Sequence, residues 1–233
     1  VVPNTFLKAE YAYNLDLGVN YKSLNQLTYV SFRTFATVIS RHIVRDDFII
    51  FSDTTTSDES TILYNGEEVT TIANKNLGNR FIHGFSIDGY SYFSKSLKFN
   101  GSISYIKGDE NETYGPMPSI SPIFGTISGE YSKNKFKISA LYKFSGDKSP
   151  MDYSLGGEDG LEETPEIIES NGLIKYAGTP RWSDFSIYTN YDISQDVKVR
   201  FAITNIFDNH YRSFASGISA PGRSFQIGLY LKL

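Results

Sequence analysis

Residues Tyr11 to Lys22 alternate without exception between apolar or aromatic side chains (Tyr11, Tyr13, Leu15, Leu17, Val19, Tyr21) and small or polar ones (Ala12, Asn14, Asp16, Gly18, Asn20, Lys22). Successive side chains of a strand point to opposite faces, so this pattern predicts one long strand with a greasy and a polar face. The same period returns in Leu97–Tyr105, Phe136–Phe144 (with Leu141 as the one misfit), Phe185–Ile193, Val197–Thr204 and Ser224–Leu233. Three stretches are less clean. Leu27–Val38 is apolar on both parities, Phe81–Phe93 becomes aromatic on both, and Phe124–Tyr131 is short. The sum is nine predicted strands and no convincing helix, since Pro165 interrupts the one helical candidate, Leu161–Ile168.

Composition agrees. Seventeen Tyr and seventeen Phe against two Met favour strands, where aromatic rings pack, over helices. The absence of Cys removes a disulfide framework, a Cys-ligated zinc site and a thiol nucleophile. A net charge of −4 gives no reason to expect nucleic acid. No run of 18 apolar residues exists, which excludes a spanning helix. The opening Val1-Val2-Pro3-Asn4 lacks the pattern of a signal peptide, which leaves a cytosolic protein or a mature or partial chain as the expectations.

The connections constrain the fold further. Four are tight (Ser23–Gln26, Ser94–Ser96, Ser132–Asn134, Ser194–Asp196) and alternate with four long ones (Ser40–Arg80, Lys107–Ile123, Ser145–Arg181, Asp208–Gly222). In an up-and-down antiparallel sheet, alternate connections share one end. One rim is then plain and the other elaborate, the layout of a bacterial outer-membrane barrel. Loops beyond about 15 residues are uncommon in compact soluble domains. The clean strands, 8 to 12 residues long, are of the length a tilted membrane strand needs. The polar face then meets a lumen, and Tyr11, Tyr21, Tyr105, Phe144 and Tyr191 near strand ends read as interfacial rings. A soluble sandwich shows the same period and stays open as an alternative. Nine is an odd count, so the expectation is part of a longer barrel, with a miscounted eight-stranded barrel as the alternative.

Asn205-Ile206-Phe207-Asp208-Asn209-His210-Tyr211 resembles the N-L-F-D-x-x-Y signature of TonB-dependent outer-membrane receptors, and Pro221-Gly222-Arg223 ten residues later resembles their P-G-R. Asn4 to Leu17 is similar to the family's lead-in to a barrel strand, Gly178-Thr179-Pro180 to its G-T-P segment, and Ile43-Val44-Arg45 and Gly84-Phe85 to two further elements. The proline-rich Pro116–Pro122 and the run Ala215–Ala220 are similar to receptors of Bacteroidetes-type bacteria. The resemblance implies that residues 1–233 are the C-terminal portion, about nine strands, of a 22-stranded transmembrane barrel whose plug and first half lie outside these residues. It implies a receptor that binds a scarce nutrient (an iron–siderophore, haem, cobalamin or similar) at its outer loops and imports it with energy from the TonB complex. The expected surroundings are outer-membrane lipid and lipopolysaccharide, with a surface lipoprotein as a further partner. A partner-binding soluble or cell-surface β-domain and a passive porin are the alternatives.

Roles follow for the motif residues. Asn205 and Asp208 are expected to bond the local backbone and fix a turn, and Phe207 and Tyr211 to anchor that rim. Pro221 and Gly222 re-aim the chain into the last strand, and Arg223 is placed to pair with a carboxylate or a lipopolysaccharide phosphate. These readings are structural. Ligand contact is expected from the outer-loop aromatics Tyr114, Tyr153 and Trp182, although Trp182 beside Arg181 reads better as interfacial. No catalytic constellation, cofactor motif or metal-ligand spacing is found, and His42, His83 and His210 read as solvated. Segment 145–178 carries eight acidic residues against Lys148 and Lys175, a net of −6, which reads as a solvated lid or an attractor of cations.

Overall fold

A computed structural model describes residues 1–49, 60–76, 78–111, 115–155 and 157–232. Nine long strands carry the fold. They are β1 (Tyr11–Lys22), β2 (Thr28–Ser40), β3 (Arg80–Tyr92), β4 (Leu97–Gly108), β5 (Phe124–Lys133), β6 (Phe136–Ser145), β7 (Trp182–Asp192), β8 (Val197–Thr204) and β9 (Ser224–Leu231). They follow one another in chain order through a single nine-stranded sheet, so the all-β up-and-down expectation holds, with nine strands and not eight. Leu233, expected at the end of the last strand, lies outside the described residues. Among the described residues no helix is long and apolar enough to cross a membrane. The Leu161–Ile168 candidate resolves into a 3-10 turn, Leu161–Glu163, and a short strand, Glu166–Ile168. Pro165 lies between the two, where a helix cannot continue.

The chain divides into two units. In the unit made of Val1–Leu15 and Ala36–Ile82, the described part of the long connection after β2 holds two antiparallel ladders: Ile43–Asp47 pairs with Ile72–Asn76, and Thr61–Tyr64 with Glu67–Thr70. The N-terminal segment laces onto it. Asn4 Nδ2 donates to Asn74 O (2.8 Å), and Lys8 and Asn76 exchange two bonds. His42, expected to be solvated, is buried here, with Nδ1 2.9 Å from Glu10 Oε2. That carboxylate oxygen also accepts from Ile43 N (2.8 Å) and so ties the β2 end to the segment before β1.

The unit made of Asp16–Phe35 and His83–Leu233 contains the register that sets the two faces. On one face, pairs such as Ile127↔Tyr142, Tyr142↔Phe185, Ile187↔Ile203 and Phe201↔Ile227 bring apolar side chains side by side. On the other, Lys137 pairs with Glu130 (2.7 Å), Lys143 with Asp184 (3.1 Å) and Lys198 with Asp192 (3.3 Å). Tyr29 and Tyr90 stack on this polar face with Lys98 Nζ 4.8 Å from the Tyr90 ring, which accounts for the doubled apolar parity of Leu27–Val38 and Phe81–Phe93.

The apolar face covers no core. Phe225, Ile227, Leu229 and Leu231 of β9 are 62–82% exposed, and among the described residues the buried hydrophobic ones are Ile39, Ala73, Met117, Tyr153 and Ala202. Burying one large apolar side chain yields about 1.5–3 kcal/mol. A face of this size left in water forgoes that gain at every position, and such a patch marks a surface that another apolar phase covers.

A candidate ligand-binding loop cluster

In the second unit, the described residues of the long connections (115–123, 146–155, 157–181 and 205–223) are held by contacts between segments far apart in the chain. The first knot sits where β8 ends. Asn205 takes a left-handed φ of +49°, which Asn tolerates better than most residues and which stops the strand. Its side chain, in a residue only 2% exposed, donates to Asn209 O (2.9 Å) and Pro221 O (3.1 Å) and accepts from Asn209 N (3.0 Å). Asp208, also left-handed (φ +55°), accepts from Arg223 N through Oδ1 (2.7 Å). A Cβ on Gly222 would lie 2.8 Å from that oxygen, so a larger residue there would push the Asp208 carboxylate off its bond to Arg223 N. The loop is thereby closed on itself.

The second group forms at the start of β7. Asp184 is buried and accepts from Ser186 Oγ (2.9 Å) and Tyr211 Oη (3.2 Å), while Lys143 Nζ lies 3.1 Å away. Tyr211 stacks on Trp182. Burial, reinforced by the Asp184 charge, pushes the Tyr211 phenol up to about 12, so it is a neutral donor at any physiological pH. Phe207 is exposed and stacks on Phe185 of the apolar face. The Arg223 side chain is exposed at the rim.

The third group was not legible in the sequence. Lys148 and Asp159, two members of the acidic segment, are buried and paired at 3.2 Å. Lys148 Nζ also donates to Ile120 O (2.6 Å) and lies 4.0 Å from the Phe214 ring centroid, while Asp159 Oδ1 accepts from Ser119 N (2.7 Å). One ion pair thus joins all three connections. Burial lowers the Lys148 pKa against the opposing pull of Asp159. Tyr153 packs on Phe214 and is 3% exposed, with its hydroxyl 2.6 Å from Thr179 Oγ1. Burial raises its phenol pKa against the pull of that hydrogen bond.

A half-open cavity of about 330 Å³ lies among these loops. Tyr153, Thr179 and Tyr211 form part of its wall, Arg181, His210 and Arg212 supply cationic or ionisable groups, and Glu163, Ser213, Ser216 and Ser219 add acceptors and hydroxyls. Arg212 is held by a 2.6 Å bond to Glu163 O. The lining can hydrogen-bond a small anionic or hydroxyl-rich molecule and stack against it. Of the three aromatics expected at a ligand, Tyr153 is in this wall, Trp182 lies behind Tyr211, and Tyr114 lies outside the described residues. Arg181, Arg212 and Thr179 carry no periodicity and no motif beyond the G-T-P stretch, so nothing local marked them. Among the described residues no group of three His, Cys, Asp or Glu side chains gathers to hold a metal.

Comparison with known proteins gives one family. The model described as TonB dependent receptor-like, beta-barrel matches residues 1–206. No curated protein sequence matches. Among solved structures, copper transporter OprC superposes with a TM-score of 0.67 at 15% identity, covering 97% of this chain and 33% of that one. The siderophore receptor PirA from Acinetobacter baumannii gives 0.66 at 18% identity, with 97% and 32% covered. The FrpB iron transporter from Neisseria meningitidis gives 0.64 at 14% identity, with 96% and 31% covered. At these identities the likeness is one of fold, and the chain spans about a third of the length of the structures it matches.

Proposed function

The chain belongs to the TonB dependent receptor-like β-barrel family, and we propose that it is the C-terminal part of the barrel of an outer-membrane import receptor. The observation that carries this reading is the exposed apolar face. A strand such as β9, with Ile227 82% exposed between Phe225 and Leu229, gains its burial energy only against lipid. A soluble β-domain would leave the same face in water. The polar face, neutralised by its own ion pairs, suits a water-filled or plugged interior.

The ligand class is a scarce nutrient captured at the loop rim, in keeping with copper, iron and siderophores in the names of structurally similar proteins. The cavity lined by Tyr153, Tyr211 and Arg212 is our candidate for part of the capture surface, with Tyr114 and Trp182 kept as candidates for the same role. The TonB complex would act through a plug supplied by other parts of the receptor, and a surface lipoprotein would meet the outer loops. Arg223 would face lipopolysaccharide at the rim. The family is one of receptors and transporters, and no enzymatic step is assigned.

The discriminating experiment is Ile227→Arg in the full-length receptor. If this position faces lipid, the variant loses about 2–4 kcal/mol near the bilayer midplane, read as reduced outer-membrane yield and weaker heat-modifiable migration. If Ile227 faces water, the substitution at so exposed a site leaves both unchanged and the membrane reading falls. Growth of a deletion strain on single iron, haem or cobalamin sources identifies the nutrient.

A further inference from the structure

Beside the cavity lies a more open groove of about 730 Å³ that shares Arg181, His210 and Tyr211 with it. Its floor is Tyr142 and Phe144 of β6, stacked with ring centroids 6.0 Å apart, and Ser183 of β7 lies opposite Phe144 in register. All three belong to the apolar face. Asn209 Nδ2 donates to Ser183 O (2.9 Å), and this bond, set by the Asn205 knot, brings His210 to the end of the groove where Arg181 stands. Arg181 and His210 are exposed, and neither has a carboxylate partner among the described residues, although the chain as a whole is acidic.

The height of these two groups is informative. Tyr191, at the tight-turn end of β7, and Arg181, just before its start, are ten residues apart on one parity. Ten residues span about 33 Å of strand. At the usual tilt this is about 25 Å across the membrane, the height of the apolar band of an outer-membrane barrel. On the reading that this face meets lipid, with Tyr191 at the inner interface, Arg181 falls at the height of the outer headgroup phosphates, in the same groove as the stacked Tyr142 and Phe144 rings.

We propose that this groove seats a phosphate-bearing glycolipid of the outer leaflet, with its phosphate on Arg181 and His210 and an acyl chain along Tyr142 and Phe144. The inference rests on the reading that this face of the sheet meets lipid. Arg is suited to the phosphate because its planar fork binds two oxygens at once. The apolar floor adds contact that a free anion cannot use.

The test uses the full-length receptor, delipidated in mild detergent and titrated with bisphosphorylated lipid A, with bound lipid counted by native mass spectrometry. We expect one retained lipid A, an apparent Kd raised about tenfold by Arg181→Glu or Arg181→Gln, a smaller loss with Tyr142→Ala, and no difference between wild type and Arg181 variants for dephosphorylated lipid A. Heat-modifiable migration selects the variants that are folded; Arg181→Gln serves if Arg181→Glu is not. Equal Kd values for wild type and a folded Arg181 variant overturn the proposal while leaving the membrane reading intact. Displacement of lipid A by millimolar inorganic phosphate also overturns it, since the groove would then be a small-anion site. A receptor that stays soluble without detergent overturns both.

Discussion

The indole of Trp182 lies on the phenol ring of Tyr211, with ring centroids 4.2 Å apart and planes inclined by 16°. The pair joins the first residue of β7 to the loop that follows β8, and the Tyr211 hydroxyl continues the connection to buried Asp184.

The Trp182 ring therefore reports the charge state of Tyr211. Because the folded pKa is about 12, above the ordinary value near 10, the neutral phenol's stabilising contribution is complete below pH 10 and is lost as pH rises through 12. The difference in emission between the receptor and its Trp182→Phe variant should stay flat through pH 10 and fall approaching pH 12, as tyrosinate forms against the indole. In Tyr211→Phe the late fall disappears. A fall centred at pH 10 in the parent would contradict the assigned environment.

Lys148 and Asp159 should behave as a coupled pair. Lys148→Met leaves a buried carboxylate held by Ser119 N without its counter-ion, and a loss of about 3–5 kcal/mol is expected. The double variant Lys148→Met, Asp159→Leu should recover most of it. Denaturant midpoints for the four members of the cycle measure the coupling, and additive losses would rule out a direct pair.

Asn205→Ala removes three side-chain hydrogen bonds from a buried residue and leaves at a left-handed φ a residue that tolerates it less well than Asn. The expected cost is about 2–4 kcal/mol. Asn205→Gly relieves the backbone and keeps the hydrogen-bond loss, so it should fall between the two. Limited proteolysis within residues 205–223 provides the measurement, with cleavage fastest in the Ala variant.

Gly125 of β5 lies beneath the Phe144 ring. A Cβ built there would stand 2.7 Å from that ring and in conflict with Ser102 O as well. Gly125→Ala should lower stability by about 1–3 kcal/mol, as overpacking does. Adding Phe144→Leu clears the ring and leaves the carbonyl in place, so rescue should be partial. Complete rescue, judged by thermal migration shifts, would mean that the backbone contact is not limiting.

How much of this was legible is clearest at particular residues. β1 was predicted at its observed bounds, Tyr11–Lys22, because twelve residues of unbroken period two admit one reading. β4 was foreseen to Tyr105 and runs to Gly108. The ribbon of Ile43–Asp47 with Ile72–Asn76 went unseen, since it is ordered by bonds such as Asn4 to Asn74, between residues 70 apart. His42, read as solvated, is buried by Glu10, which lies 32 residues away. Within the acidic segment, the count of charges gave no hint that Asp159 is buried under Lys148.

Taken alone, the amino-acid order determined the nine long strands of the sheet, their two faces and the split between tight and long connections. Each of these follows from alternation and turn chemistry within a dozen residues, where backbone geometry leaves a single solution. Tertiary structure alone decided which side chains come together at the rim: Arg181 and His210 at one groove, Lys148 with Asp159, Trp182 with Tyr211. Those pairings depend on how three connections fold over one rim, and nothing in local spacing encodes the distances between them.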